Sequence, residues 1–203
     1  MSDRARLDGK LVAGQSVSAP PEMSPRTRAF VLKVDTIVLA IARHWLLAVN
    51  ILGGLYAGLP ILGPLLRSRG YTLPANVIYF FYGLTCHQLP NRSFYIFGQK
   101  MCYCERCMAI YTGIFILGLG YAILPWFHRR IQALRWRWMF VLWAPMALDG
   151  FTQLFGLRES TWQLRLLTGG LFALSCVWVG FPYLEQAFNQ IRHDLELRFA
   201  RLA

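Results

Sequence analysis

The apolar positions of this chain fall in blocks rather than in stripes. Four stretches, 44–66, 109–127, 138–157 and 162–183, each approach the roughly 20 residues a helix needs to cross the hydrocarbon core of a bilayer. An amphipathic helix on a soluble domain would instead alternate apolar and polar faces at a 3.6-residue period. The blocks therefore predict four transmembrane helices. Arg43, His44 and Trp45 open the first block, and His128, Arg129 and Arg130 follow the second. Basic and aromatic residues gather in this way at the membrane interface. Residues 28–42 are also apolar but carry Lys33 and Asp35. One straight helix from Arg28 to Leu66 would be about 58 Å long, far more than a bilayer needs. The expectation is an interfacial helix over 28–42 that turns near Arg43 into the first span. Pro60 and Pro64 should kink the outer end of that span.

Two shorter pieces complete the pattern. Residues 74–84 are apolar but too few to cross, which predicts a re-entrant or interfacial helix. Leu89-Pro90-Asn91 ends it, and Gly98 marks a turn. At the other end, Leu184, Phe188, Ile191, Leu195, Phe199 and Leu202 recur at steps of three and four, the stripe of an amphipathic helix. With Arg192, Arg198 and Arg201 beside it, this helix suits the inner membrane surface; docking a partner or a second copy is the alternative. Residues 1–25 are rich in Ser, Pro and charge and read as a disordered cytoplasmic tail without the apolar core of a secretory signal. The expected protein is thus all-α, with a membrane domain over 26–183 and an amphipathic helix over 184–203.

Composition agrees with the pattern: 56% of the 203 residues are hydrophobic and 15% charged. The net charge of +11 does not point to nucleic acid, because the basic residues flank the apolar blocks instead of forming a patch of their own. They orient the chain. With both termini in the cytoplasm, fourteen lysines and arginines lie inside and seven outside, which is the preferred sense. The cysteine-rich segment then faces the outer, more oxidising side of the cell membrane.

That segment, 85–113, holds Cys86, Cys102, Cys104 and Cys107 together with His87. Cys104 and Cys107 have the two-residue spacing that lets both sulfurs reach one tetrahedral metal, or each other. Pro90 and Gly98 allow the intervening chain to fold back, so Cys86 and His87 can close the site from the other side. A bent backbone is needed for one ion to take both neighbours, so His87 is either the fourth ligand or a group behind the ligands. Cys102 alternates with Cys104 and would share its face in an extended chain. Three chemistries fit: a structural disulfide from Cys86 to Cys104 or Cys107, a metal site, or redox thiols activated by a helix N-terminus and Arg106. The cysteine–histidine mixture favours metal, zinc first and iron second. Cys176, among apolar residues of the last block, is a packing residue.

A second set of polar residues falls at the same expected membrane face. Asp149 lies inside the third block with Gln153 one turn on; Arg158, Glu159 and Ser160 follow, and Arg165 enters the fourth block. An acid at that depth should face the bundle interior and pair with an arginine, Arg165 or Arg106. Gln88, Arg92 and Arg106 belong to the cysteine segment. These side chains form either an ion-pair lock or a site for a small anionic or lipid ligand.

The strings Cys86-His87-Gln88, Arg92-Ser93, Gly98, Cys104-x-Arg106-Cys107, Tyr111 and Gly113 resemble an uncharacterised prokaryotic membrane family, domain of unknown function 2085. Asp149-Gly150-x-Thr152-Gln153, Arg158-Glu159-Ser160 and Arg165 resemble its second half. Cys102 stands where the family pattern has proline and Ala109 where it has glycine. The resemblance implies that the two motifs belong to one unit, and it implies no activity. In layout alone the chain is similar to quinone-linked thiol oxidoreductases of the disulfide-forming and vitamin K epoxide reductase types. The functions to weigh are therefore a metal-binding membrane protein, a quinone-linked thiol–disulfide oxidoreductase, and a non-catalytic subunit that binds a membrane-protein partner.

Overall fold

The structure, a computed structural model, describes residues 24–124 and 135–201. Most of the expected tail at 1–25, the end of the second span at 125–127, its flank His128, Arg129 and Arg130, and Leu202 lie outside the described residues. The chain divides into two compact units, Met1–Ile37 and Val38–Ala203. In the first, Ser24 caps a helix: its Oγ accepts the Thr27 N–H at 3.2 Å, and Pro25 occupies the first helical position.

That helix, α1, spans Pro25–Ser68. The turn expected near Arg43 is not there. Residues 38–50 contain no Gly or Pro, and excess length alone does not break a hydrogen-bonded helix. Pro60 and Pro64 both lie inside α1 and are buried.

Among the described residues, the second unit is built from the part of α1 that follows Ile37 and from five further helices. They are α2 (Thr72–Gly83), α3 (Glu105–Ile123), α4 (Arg137–Leu154), α5 (Trp162–Ser175) and α6 (Phe181–Ala200). A π-helical segment, Cys176–Gly180, joins α5 to α6 without a break. It precedes Pro182, whose ring removes a backbone donor, and one wider turn absorbs the mismatch. Among the described residues, three helical runs are long and apolar enough to cross a membrane: Pro25–Ser68, Glu105–Ile123 and Trp162–Ala200. The protein is an all-α membrane protein. α4 is not among the three, because Arg137, Asp149 and Gln153 lower its hydropathy.

Small residues set the packing. A Cβ on Gly113 of α3 would come within 2.7 Å of the Ala173 Cβ on α5, and one on Gly169 within 2.9 Å of the Ala109 Cβ. Ala109 and Gly113, four apart, thus meet Gly169 and Ala173, four apart, as in close-packed membrane helix pairs. The contacts advance together along both chains, so α3 and α5 run parallel. Trp143 on α4 stacks on Phe172, centroids 5.1 Å apart, and donates to Ser175 Oγ at 2.6 Å. Asp149, six residues after Trp143, meets Ser160 just before α5, so α4 runs antiparallel to α5. Gly54 and Gly63 of α1 face Phe115 and Cys102, and Asn50 faces Gly118, so α1 runs antiparallel to α3. Apolar side chains such as Leu52, Ile116 and Phe140 stay 55–66% exposed, a surface suited to lipid.

α2 is 12 residues long, about 18 Å, and shorter than a bilayer is thick. Leu73, Val77 and Phe80 are exposed, while Tyr82 is buried and donates to the Tyr56 carbonyl at 2.6 Å. At the far end of the bundle, Arg43 pairs with Glu196 at 2.8 Å, and Trp45 stacks on Phe188 at 5.4 Å. Part of the stripe expected to lie on the membrane surface is thus spent on α1.

Candidate metal centre

The end of α2 fixes the first sulfur. The Cys86 N–H still bonds the Tyr82 carbonyl at 2.9 Å, one turn back. Gln88 then adopts φ 48°, a left-handed conformation that reverses the chain. The reversal turns the Gln88 N–H onto the Cys86 sulfur. The Gln88 side chain anchors the turn by donating to the Tyr79 carbonyl at 2.7 Å, and Lys100 Nζ donates to the Gln88 carbonyl.

A hairpin delivers the other two. After a 3₁₀ turn at Pro90–Arg92, β1 (Tyr95–Ile96) pairs antiparallel with β2 (Gln99–Lys100). The two linking residues, Phe97 and Gly98, have φ of 55° and 71°, as a two-residue hairpin with right-handed strand twist requires. The chain bends at Cys102 and Tyr103, and Cys104 caps α3 with Cys107 in its first turn. The Cys104 N–H donates to Cys86 Sγ at 3.1 Å. The sulfurs of Cys86, Cys104 and Cys107 all lie within 4.8 Å of one another. All five cysteines are free, so the structural disulfide is not formed. Hydrogen bonds from the Cys104 side chain, then from Cys107, and from the Gln88 and Cys104 N–H groups hold the Cys86 thiol far below its ordinary range, against the effect of burial.

Cys102 does not share the face of Cys104, because the bend breaks the expected alternation. Its sulfur sits against Gly63 of α1, where a Cβ would come within 2.4 Å. Burial pushes its thiol up to about 11. His87 is exposed and stands outside the group of mutually close ligand atoms.

Asp149 is 1% exposed, and four side chains satisfy it. Arg106 bonds Oδ2, Arg158 bonds Oδ1 at 2.8 Å, Gln153 Nε2 donates to Oδ2 at 3.0 Å, and Ser160 Oγ donates at 3.1 Å. Of the two expected partners Arg106 is there. Arg165 is not, because buried Glu105 takes it at 2.9 Å. Glu105 carried one unused signal: an acid in the first turn of a helix, where the dipole favours it, flanked by residues of the cysteine motif. Glu159 is exposed, and Ser160 is the residue of that turn that faces inward. The turn itself depends on Gly156 at φ 67°, after which the Leu157 N–H returns to the Thr152 carbonyl at 2.9 Å.

The two motifs meet in one cavity of about 190 Å³. Its walls include Cys86, Cys104, Cys107, Arg92, Arg106, Arg165, Gln153 and His87. Three thiol sulfurs from two elements suit a soft or borderline ion such as zinc or iron better than magnesium or calcium.

Residues 86–179 match the family described as predicted membrane protein, DUF2085. An uncharacterised protein of Methanocaldococcus jannaschii is 39% identical over 120 residues, 57% of this chain and 74% of that protein. An uncharacterised protein of Methanothermobacter thermautotrophicus is 38% identical over 84 residues, 41% of this chain and 73% of that protein. No solved structure matches. With the cysteine loop, the Asp149 network and the helices that join them all inside the matched stretch, the chain belongs to the DUF2085 family of predicted membrane proteins.

Proposed function

We propose that the protein is a metal-binding membrane protein whose centre is Cys86, Cys104 and Cys107, holding zinc or, second, iron. One observation carries the reading. Three sulfurs from the end of α2 and the start of α3 converge within 4.8 Å, while the fourth cysteine of the loop points away to α1. Tetrahedral thiolates about 2.3 Å from zinc stand about 3.8 Å apart, a modest contraction from this arrangement. Backbone N–H groups aimed at the Cys86 sulfur suit a bound thiolate. His87 also lines the cavity and would serve as a fourth ligand or as a group behind the centre. With His87 behind the centre, the fourth position would be open to an exchangeable ligand, because the cavity borders all three sulfurs. A small anionic or lipid ligand at the adjoining polar residues is part of the same reading.

The test is metal content per chain in purified protein and four serine variants. Cys86→Ser, Cys104→Ser and Cys107→Ser should each lower it, and Cys102→Ser should leave it near wild type. Equal loss in all four, or no metal in wild type, contradicts the centre.

The same reading includes a fourth span and a re-entrant α2. The pairing of Arg43 with Glu196 supports an even number of crossings, since the chain enters and leaves the bundle at one end. Neutralisation of Asp149 by arginines removes the main objection to α4 as a span. Both termini would then be cytoplasmic and the centre would face outward.

A second reading rests on the depressed thiol of Cys86 beside two other thiols. Cys104 or Cys107 would attack and Cys86 would resolve, and the disulfide formed between them would cost the two thiols two electrons and two protons, taken by a quinone that leaves as the quinol. Metal-free protein that reduces a quinone analogue with loss of two thiols would favour it. The non-catalytic subunit has no specific observation in its support.

A further inference from the structure

The cavity beside the cysteines is lined by more positive charge than the protein itself satisfies. Arg92, Arg106 and Arg165 form part of its wall. The Nε of each is buried and has no hydrogen-bond partner among the described residues. Arg165 is 6% exposed, so its Nε has no access to bulk water. Three guanidinium side chains around one cavity make it a place for an acceptor, which would meet them at the edges that line it. The ion pairs use other atoms. Arg106 and Arg165 reach Asp149 and Glu105 through terminal nitrogens, and Arg92 makes no ion pair among the described residues.

Charge gives the same answer. A divalent ion on three thiolates carries one negative charge. Arg92, Arg106, Arg158 and Arg165 oppose it together with Asp149 and Glu105, leaving one positive charge in excess. The cavity also adjoins a second space of about 440 Å³ that shares Arg92, Arg106 and Gln153 and is further lined by Leu154 and Gly150. An oxyanion in the inner cavity would have room behind it for an organic tail.

We propose that this cavity binds a small oxyanion, a phosphate or carboxylate group, between Arg92, Arg106 and Arg165 and against the three-cysteine centre. Guanidinium groups suit both, because their planar forks match two oxygens at once. The proposal rests on the metal reading for its charge count; the cavity and the unpartnered donors stand without it. Arg92 is the residue to test, since its loss breaks no ion pair among the described residues.

The experiment is calorimetric titration of the full-length protein in detergent with inorganic phosphate and, separately, acetate. Wild type, Arg92→Gln and Arg92→Lys are compared, with metal content measured on each sample. At least one anion should bind, about tenfold or more weaker in Arg92→Gln and partly restored in Arg92→Lys, with metal content unchanged. Binding that Arg92→Gln leaves intact, or no binding of either anion to wild type at about 50 mM, overturns the site. Protein that carries no metal as purified but still binds the anion would sink the metal centre and keep the oxyanion site. Repeating the titration with phosphatidylglycerol in the micelle, against phosphatidylcholine, identifies the source. Competition by the anionic lipid marks a headgroup, its absence marks a soluble oxyanion, and either result supports the site.

Discussion

At its first turn α3 carries Glu105, Arg106 and Cys107 into a cluster of sulfur, carboxylate and guanidinium that borders a cavity. At its last turn the same helix buries Tyr121 against Phe181, which in turn packs on Trp45, with ring centroids 5.6 and 5.7 Å apart. The Tyr121 hydroxyl donates to Glu185 on α6. Both ends are closed by side chains from several helices, but on different terms. The far end packs ring against ring around Tyr121. The near end places buried donors around open volume. Packing alone explains the first and not the second, and the site is assigned to the near end for that reason.

The largest expected effect breaks the near end. Asp149→Leu would strand Arg106 and Arg158, at a cost of about 3–5 kcal/mol for a buried pair. Unfolding in detergent by denaturant or heat reads it, and a melt equal to wild type would place Asp149 on a wet surface. Next comes the seam that joins the ends. Gly113→Leu puts a side chain where the Ala173 Cβ already sits 2.7 Å from an ideal Cβ, and should cost about 1–3 kcal/mol in the same melts. Wild-type stability there would mean that α3 and α5 are farther apart than described.

A smaller effect separates the ends. Tyr121→Phe removes one hydroxyl and should cost about 1 kcal/mol with metal content untouched. A fall in metal would show that the two ends are coupled. The smallest effect concerns Cys102. Its thiol, raised from 9.0 to about 11 by burial, contributes stability that is full below about pH 9 and is lost as pH climbs towards 11. Cys102→Ala should flatten that alkaline limb of the stability curve, and an unchanged limb would mean that the sulfur is wet.

How far the sequence was legible follows from what each signal depends on. The apolar blocks announced the membrane class because a span needs length and composition, both local properties. The fold-back of the cysteine loop was legible in Pro90 and Gly98, and the pairing of Arg106 with Asp149 followed from the cost of a buried acid. The continuity of α1 through Arg43 was not legible from length, which says how much helix is surplus and not where it ends. The separation of Cys102 from Cys104 depended on a bend and on a glycine 39 residues earlier, a contact that alternation cannot foresee. Glu105 was overlooked because its partner, Arg165, lies 60 residues on and was assigned to the other acid.

The central claim is that three cysteine sulfurs share one ion. X-ray absorption at the metal edge of protein purified without added metal tests it most directly. The account predicts about one zinc or iron per chain with three sulfur scatterers near 2.3 Å and one lighter ligand. A metal-free protein, or a bound metal surrounded only by oxygen and nitrogen, would contradict it.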